Sequence, residues 1–320
     1  MFVKPFIKWV GGKGQLLPQL ESNLPVEIRR GPFTYIEPFV GGGAMLFFML
    51  QHFSQISRVV INDINKNLTD AYNVVKDYPE NLIDELRNIE RQYQSIKDEK
   101  KRCEYYLEKR NKYNEEVLEC IEKTAVFIFL NRTCFNGLYR ENSRGRFNVP
   151  FGRYVNPTIC NDVLIRADSE LLNRFDVEIL NGDYRQIENY IDDSEQTFIY
   201  FDPPYRPLSN TSNFNAYDKE PFNDDKQKEL ACMCHRLSDY PRIKWMLSNS
   251  DCSSVNPNDT FFEDLYDGFY IKRVYASRMV NADSTKRGKL TELLITNYKS
   301  DDMKAREKDD VKLKYDFLIQ

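Results

Sequence analysis

The chain has 320 residues, of which 29% are charged and 41% hydrophobic, and its formal net charge is −4. That length accommodates one large α/β domain or a domain with a sizeable insertion, and the composition is ordinary for a soluble globular protein. There is neither a run of about eighteen apolar residues nor an apolar amino-terminal segment with a cleavage site. We therefore expect a cytoplasmic protein that neither spans a membrane nor is exported.

The seven cysteines are scattered without C-x-x-C spacing, and the only histidines are His52 and His235. This pattern predicts free buried thiols and no zinc or other metal site. The acidic net charge disfavours a general polyanion binder, but it leaves open a local basic surface.

In chain order, Phe33 to Phe39 predicts a strand, Gly41 to Gly43 a tight turn and Ala44 to Phe53 a helix with an apolar face. A second strand, Ser57 to Ile61, then leads to Asp63. This is the order of a βαβ unit. The acid follows Gly41 by 22 residues, close to the spacing at which a carboxylate holds the ribose hydroxyls of a nucleoside cofactor.

From about residue 81 to 131 the pattern becomes charged and helical, and strands return only at Val177 to Leu180. The later predicted strands are Thr197 to Phe201, Ile243 to Ser248, Tyr270 to Ala276 and Glu292 to Asn297. Such an interruption is too long for a loop, so we predict an inserted domain. The predicted division is 1–68 and 166–320 for the sheet domain and 69–165 for the insertion. Residues 301–314 read as a solvated helix or a frayed end.

A short loop, Asp202-Pro203-Pro204-Tyr205, follows the predicted strand at 197–201. Open α/β sheets bind ligands at the carboxyl ends of their strands. Both prolines lack an N–H and stiffen the loop, Asp202 adds an acceptor and Tyr205 an aromatic face. This combination suits a flat ring that carries an exocyclic amino group. A plain proline turn with a surface carboxylate is the alternative.

Residues 131 to 153 (NRTCFNGLYRENSRGRFNVPFGR) contain five arginines and one acid, with aromatic residues interleaved. The Asn136-Gly137 and Arg144-Gly145 pairs supply turns, so a β-hairpin or a looped finger is predicted. Arginines reach phosphates or a guanine edge, and an asparagine with an apolar side chain fills the gap left by an extruded base. The pattern favours nucleic-acid binding over a merely solvated basic loop.

At the amino terminus, Trp9 and Lys13 flank a Gly-Gly turn, where backbone approaches a ligand closely and a lysine pairs with a carboxylate or phosphate. The G-x-x-x-x-G-K-[ST] spacing of a P-loop is absent. Taken alone, this segment decides nothing.

Together these segments resemble the Dam family of DNA adenine-N6 methyltransferases, in the α-group order with the target-recognition domain between the cofactor and catalytic motifs. The resemblance covers nearly the whole chain, and FNGLYR and FNVPFGRY are similar to the GATC-modifying type. The segments that carry it are FIKWVGGK, YIEPFVGGGA, INDIN, LNRTCFNGLYRENSRGRFNVPFGRY, NGDY, IYFDPPYRPLSNTSNF, MLSNS and RGKLTELLITNY.

The resemblance implies a Rossmann-like, S-adenosyl-L-methionine-dependent methyltransferase sheet of the α/β class, with an inserted, mainly helical target-recognition domain that carries a β-hairpin. The implied cofactor-binding residues are Trp9, Lys13, Phe39, Gly41, Gly43, Asp63, Asp183, Tyr184 and Asp202. Asp63 would hold the ribose hydroxyls and Asp183 the cofactor's adenine amino group. Tyr184 stands where the family commonly has phenylalanine.

For catalysis, the resemblance implies that Asp202 and the Pro203 carbonyl hold N6 of a flipped adenine, next to Pro204, with Tyr205 stacked on its ring. The implied DNA-binding residues are Arg132, Phe135, Asn136, Leu138, Arg140, Pro150 and Arg153. Phe135 and Asn136 would fill the vacated space, and Arg140 would read the guanine before the adenine.

The expected function is therefore that of a monomeric, site-specific adenine DNA methyltransferase acting on double-stranded DNA. A cognate restriction endonuclease acting separately is left open. Methylation of cytosine N4 or of a protein glutamine amide is the alternative within enzymes, and the other alternative is a non-catalytic DNA-binding module with a residual methyltransferase fold.

Overall fold

We describe the protein from a computed structural model, which defines residues 3–208, 222–276 and 290–300. Within these ranges the strands are β1 (Phe33–Glu37), β2 (Ile56–Asp63), β3 (Val177–Asn181), β4 (Thr197–Phe201), β5 (Ile243–Ser250), β6 (Tyr270–Ala276) and β7 (Leu290–Thr296). They form one sheet in the order β3-β2-β1-β4-β5-β7-β6. The predicted α/β class is confirmed.

Strands β1 to β5 pair in parallel, whereas β7 pairs antiparallel with both β5 and β6. The chain builds outward from β1 through β2 to β3, and then returns to place β4 on the other side of β1. This reversal between β1 and β4 is the switch point beside which open α/β sheets bind ligands. The loops that follow Glu37 and Phe201 therefore leave the sheet side by side.

The two central strands are buried along their whole length, in keeping with their runs of aromatic and β-branched residues. Strand β1 ends at Glu37, two residues before the predicted end, because Pro38 follows and has no N–H to donate to the ladder. Strand β2 is longer than predicted and includes Asp63 itself.

The helices among the described residues are α1 (Leu17–Glu21), α2 (Ala44–His52), α3 (Lys66–Asp77), α4 (Pro79–Ser95), α5 (Glu99–Glu115), α6 (Cys120–Thr133), α7 (Asp162–Arg174), α8 (Asp224–Ser238) and α9 (Phe261–Leu265). The stretch from about residue 81 to 131, between β2 and β3, is helical, as predicted. Its buried residues, including Phe127 and Phe129 of α6, continue the core formed by Tyr35 and Phe47 under the sheet. The proposed domain boundaries at 68 and 165 remain predictions.

The arginine-rich segment after α6 folds back on itself. It is an irregular loop rather than a regular hairpin, since its antiparallel pairing consists of two isolated bridges, Cys134 to Phe151 and Glu141 to Phe147. We call residues 134–151 the finger. The predicted tail at 301–314 lies outside the described residues, as do residues 209–214 of the segment after Tyr205. No helix in the described ranges is both long and apolar enough to cross a membrane.

Candidate active site

The Asp202-Pro203-Pro204-Tyr205 loop leaves the sheet at the carboxyl end of β4. The Pro204 carbonyl accepts a hydrogen bond of 3.0 Å from Gln227 Nε2 on α8. Gln227 Oε1 in turn accepts one of 3.1 Å from Asn249 Nδ2 on β5. Both amide side chains are fully buried. The loop is therefore fixed to two neighbouring elements, α8 and β5.

The Lys13 ammonium is seated inside this loop. Lys13 Nζ lies 2.8 Å from Asp202 Oδ1 and 4.4 Å from the centre of the Tyr205 ring, and it donates a hydrogen bond of 3.0 Å to the Gly11 carbonyl. The Lys13 side chain is only 6% exposed and that of Asp202 20%. A carboxylate, a carbonyl and an aromatic face thus already hold a nitrogen that carries N–H donors.

Two carboxyl groups that sequence reasoning missed complete this pocket. Glu292 Oε2 accepts a hydrogen bond of 2.7 Å from the Tyr205 hydroxyl, and Glu37 Oε2 accepts one of 2.7 Å from Tyr35. Glu292 begins a predicted strand and Glu37 lies inside another, so both read as sheet residues in the sequence. The signal that could have found Glu37 is an acid in an otherwise apolar, fully buried strand.

Burial raises the pKa of two of these carboxyl groups against different opposing effects. The pKa of Glu37 lies well above its usual range because burial disfavours the charged form, and the hydrogen bond from Tyr35 opposes that shift. Burial also raises the pKa of Asp202, but the Lys13 ammonium opposes that shift. The Lys13 ion pair therefore stabilises the ionised form of Asp202 in a pocket that disfavours it.

A second pocket wall is formed by Asp63 and the turn after β1. Asp63 Oδ2 accepts a hydrogen bond of 3.0 Å from the Gly41 amide, and Oδ1 accepts one of 2.9 Å from the Asn65 amide. Burial raises the pKa of Asp63 to about 6, against the opposing effect of these amides. The side chain of Ile64, the next residue, is 76% exposed. An apolar side chain presented to solvent beside a carboxylate fits a flat heterocycle with an attached sugar, and sequence reasoning missed Ile64.

The turn after β1 requires glycine, both for its backbone conformation and for the side chains packed against it. Gly41 and Gly43 have φ of +50° and +79°, which disfavour any side chain. A Cβ on Gly43 would lie 2.3 Å from the Tyr72 hydroxyl, and one on Gly41 would lie 3.0 Å from Trp9 Cδ1. The half-buried indole of Trp9 thus packs directly on this turn.

The remaining predicted cofactor residues lie beyond the turn, near the ends of β1 and β3. The rings of Phe39 and Tyr184 are 5.1 Å apart, and Phe222 contacts both. Asp183 forms a bidentate ion pair with Arg185, in which Nε lies 2.8 Å from Oδ1 and Nη2 lies 2.9 Å from Oδ2. Arg185 lowers the pKa of Asp183. Phe39 and Tyr184 are therefore in contact, whereas the carboxylate of Asp183 is directed at an arginine.

The finger presents several of the predicted DNA-contacting residues to solvent. The side chains of Phe135 and Leu138 are 52% and 37% exposed. Asn136 adopts φ of +57°, a region that asparagine tolerates better than most residues. Arg140 is exposed, and its Nε donates a hydrogen bond of 2.7 Å to Asn148 Oδ1. The finger is closed at its base because the Pro150 carbonyl accepts a hydrogen bond of 2.9 Å from the Phe135 amide.

Two of the predicted DNA-contacting residues, Arg132 and Arg153, lie outside the finger. Arg132 turns inward: its Nη2 donates a hydrogen bond of 2.6 Å to the Phe6 carbonyl, and its charge acts on the fully buried Asp168. The structure thus gives Arg132 an interior role, because it lies on the last turn of α6 rather than in the finger. The side chain of Arg153 is 77% exposed and lies 3.8 Å from Glu99.

The described residues therefore combine two features at one sheet edge. A carboxylate and a glycine turn of the kind that hold a nucleoside follow β1 and β2, and an Asp-Pro-Pro-Tyr grip for an amino group follows the adjacent β4. Among these residues, no group of three or more His, Cys, Asp or Glu side chains is arranged to hold a metal ion. These residues define a candidate ligand site at the switch point of an open α/β sheet.

Comparison with known proteins makes the assignment specific. Residues 9–280 match the model of the D12 class N6 adenine-specific DNA methyltransferases, and the chain belongs to that family. It is 47% identical over 302 residues to the type II methyltransferase M.MjaIII of Methanocaldococcus jannaschii, covering 93% of this chain and 100% of that one.

Two further relatives are similar over nearly their full lengths. The type II methyltransferase M1.LlaDCHI of Lactococcus lactis is 38% identical, covering 92% of this chain and 96% of the relative. The DNA adenine methylase of Haemophilus influenzae is 32% identical, covering 91% and 92%. The predicted resemblance to adenine-N6 DNA methyltransferases is confirmed.

Proposed function

We propose that this protein transfers a methyl group from S-adenosyl-L-methionine to N6 of an adenine flipped out of duplex DNA, within GATC or a related GA-containing site. The observation that carries the proposal is the seat of the Lys13 ammonium between the Asp202 carboxylate and the Tyr205 ring. An ammonium is a set of N–H donors on one nitrogen, so it marks where an exocyclic amino group would be held.

In the proposed reaction, Asp202 and the Pro203 carbonyl accept hydrogen bonds from the two N–H groups of the adenine amino nitrogen. That nitrogen is a poor nucleophile because its lone pair is delocalised into the ring. The two acceptors favour a more tetrahedral nitrogen, whose lone pair then points out of the ring plane. Tyr205 stacks on the ring and is held in place by Glu292. Most of the rate enhancement comes from this positioning and from electrostatics.

S-adenosyl-L-methionine supplies an activated methyl group on a sulfonium. The residues that would hold it are Trp9, Lys13, Phe39, Gly41, Gly43, Asp63, Asp183 and Tyr184. The chemistry of this set fits the cofactor, since Asp63 offers acceptors for ribose hydroxyls beside the exposed Ile64 and a turn without side chains. Asp183 would have to exchange Arg185 for the cofactor's amino group.

Lys13 has to leave Asp202 before an adenine can take its place. We propose that it then pairs with an anionic group of the cofactor, because the segment that carries it packs on the glycine turn through Trp9. We therefore propose that Lys13 guards Asp202 in the absence of substrate and moves when the site fills.

We propose that the finger reads the DNA, with Phe135 and Asn136 filling the gap left by the adenine. Arg140 would read the preceding guanine, and Leu138 and Pro150 would contact the neighbouring thymine. Their exposure in the structure supports this set. Arg153, an exposed cation, would contact the phosphate backbone of the DNA.

Because two relatives are named type II methyltransferases, we also propose that the protein works beside a separate restriction endonuclease. We expect it to act as a cytoplasmic monomer.

The decisive experiment supplies methyl-labelled S-adenosyl-L-methionine and duplex DNA with a single GATC site, and then identifies the labelled nucleoside. We expect N6-methyladenine; labelled N4-methylcytosine or labelled protein would overturn the proposal.

Asp202→Ala should lower turnover by at least about a hundredfold, with the fold retained. Asp84→Ala, on the exposed face of α4, is the matched control and should keep full activity.

A further inference from the structure

Trp9 links the turn after β1 to the finger. Its indole stacks on Tyr139 of the finger, with ring centres 5.0 Å apart and an angle of 24° between the planes. The same residue packs on the glycine turn, where a Cβ on Gly42 would lie 2.9 Å from Trp9 Cβ. One side chain therefore contacts both the proposed cofactor wall and the finger.

Tyr139 also contacts a second element of the cofactor side. Its hydroxyl accepts a hydrogen bond of 3.2 Å from Asn67 Nδ2, on the first turn of α3, and donates one to Glu141. Asn67 follows Asp63 by four residues in the sequence. The rings of Phe127 and Phe147 also contact the Tyr139 ring, with ring centres 5.5 and 5.7 Å away. The ring is thus held from several sides.

The base of the finger is tied to the same amino-terminal segment by the buried side chain of Asn131. Asn131 Oδ1 accepts a hydrogen bond of 3.1 Å from the Lys8 amide, and Nδ2 donates one of 2.9 Å to the Lys8 carbonyl. Nδ2 also donates one of 3.2 Å to the Gly137 carbonyl. These hydrogen bonds tie the segment that carries Trp9 to the base of the finger.

We propose that Tyr139 is a positioning residue that couples binding of the cofactor to binding of the target DNA. Tyr139 lies between Leu138 and Arg140, so the placement of its ring sets the placement of both proposed base-contacting side chains. A cofactor that binds against Trp9 on the glycine turn acts on the finger through the stack. By linkage, DNA that binds the finger strengthens cofactor binding by the same factor. This inference rests on the proposed function.

The test measures the dissociation constant of S-adenosylhomocysteine by calorimetry, alone and with a saturating duplex that carries one GATC site. The ratio of the two constants is the coupling factor, which we expect to lie at about 5 to 150 in the unaltered protein. Tyr139→Leu removes the stack and should bring the factor below about two. Tyr139→Phe keeps the ring and should retain most of the coupling. Tyr240→Leu, at an exposed turn, is the matched control.

A coupling factor near one in the unaltered protein, or an unchanged factor in Tyr139→Leu, overturns the inference. So does an equal loss in Tyr139→Phe, because the hydroxyl network and not the stack would then carry the effect. If the leucine variant does not fold, Tyr139→Met replaces it under the same criterion. Failure of the unaltered protein to bind the cofactor or to methylate the duplex would instead overturn the proposed function.

Discussion

Replacing Asp63 by asparagine tests the cofactor pocket most directly. The carboxylate accepts hydrogen bonds from the amides of Gly41 and Asn65, and in the proposed complex it also accepts them from the ribose hydroxyls. Asparagine keeps one acceptor oxygen but loses the charge. A hydrogen bond to a charged group contributes about 1.5–3 kcal/mol, so the dissociation constant for the cofactor should rise by about tenfold to somewhat over a hundredfold.

Cofactor affinity should also fall as the pH is lowered. Burial raises the pKa of Asp63 to about 6, so the carboxylate is ionised at pH 7.5 and progressively protonated below pH 6. A protonated acid is a weaker acceptor for ribose hydroxyls, and cofactor affinity should fall by up to about tenfold per pH unit there. Folding responds in the opposite direction. Because the pKa is raised in the folded protein, the stability from Asp63 is greatest below its unfolded pKa and is lost as the pH rises through about 6.

The assay is calorimetric titration of S-adenosylhomocysteine into the protein between pH 5.5 and 8. The unaltered protein should bind S-adenosylhomocysteine less tightly at the acid end of this range. Asp63→Asn should bind it weakly, with an affinity that is nearly independent of pH. Asp84→Asn controls for a change of surface charge. Parallel pH profiles for the unaltered protein and Asp63→Asn would refute this assignment, since another group would then be titrating.

Three further substitutions test separate features. Burial raises the pKa of Asp168 to about 9, so its contribution to stability is greatest below the unfolded pKa and is lost as the pH rises through 9. Between pH 6 and pH 8, the unfolding free energy of Asp168→Asn, measured with urea, should therefore rise by about 3 kcal/mol relative to that of the unaltered protein. The same dependence of unfolding free energy on pH in both proteins would contradict this. Among the described residues, the buried Tyr184 hydroxyl has no hydrogen-bond partner, so Tyr184→Phe should leave the unfolding free energy unchanged or raise it by up to about 1 kcal/mol, and a loss larger than that would show a missed partner. Arg140→Ala should relax discrimination at the guanine before the adenine by about 1–3 kcal/mol in competition assays with altered duplexes; unchanged selectivity would mean that another residue is the reader.

The strands that position the site could be predicted because their patterns are extreme. β4 is a run of five buried residues and ends where the sequence predicted, at Phe201. The helical stretch before β3 was equally visible from its periodicity. The finger was less predictable, since a ladder of hydrogen bonds depends on partners that composition does not specify. Its arginines and glycines predicted a turn-rich projection, and the regular hairpin was replaced by two isolated bridges.

Side-chain direction was the main limit at the candidate site. Arg132 and Arg140 look alike in the sequence, but the first lies at a helix end and donates a hydrogen bond to the Phe6 carbonyl, whereas the second lies in an exposed loop. Charge counts treat both as equal contributors to a basic surface. Only the register of α6 against the amino-terminal segment separates an interior cation from an exposed one, and that register depends on packing between residues distant in the sequence.

Lys13 shows how topology combines signals that are weak alone. The Gly-Gly-Lys segment decided nothing by itself, and an Asp-Pro-Pro loop is compatible with an ordinary turn. Because β4 returns to lie beside β1, the loop that it carries meets the amino-terminal segment packed on the turn after β1. The 2.8 Å ion pair between Lys13 and Asp202 is the result. It stabilises the ionised carboxylate in a buried pocket that disfavours the charge. In the proposed complex the adenine amino group takes the place of the Lys13 ammonium beside Asp202. The amino-terminal lysine and the loop after β4 therefore form one candidate site rather than two.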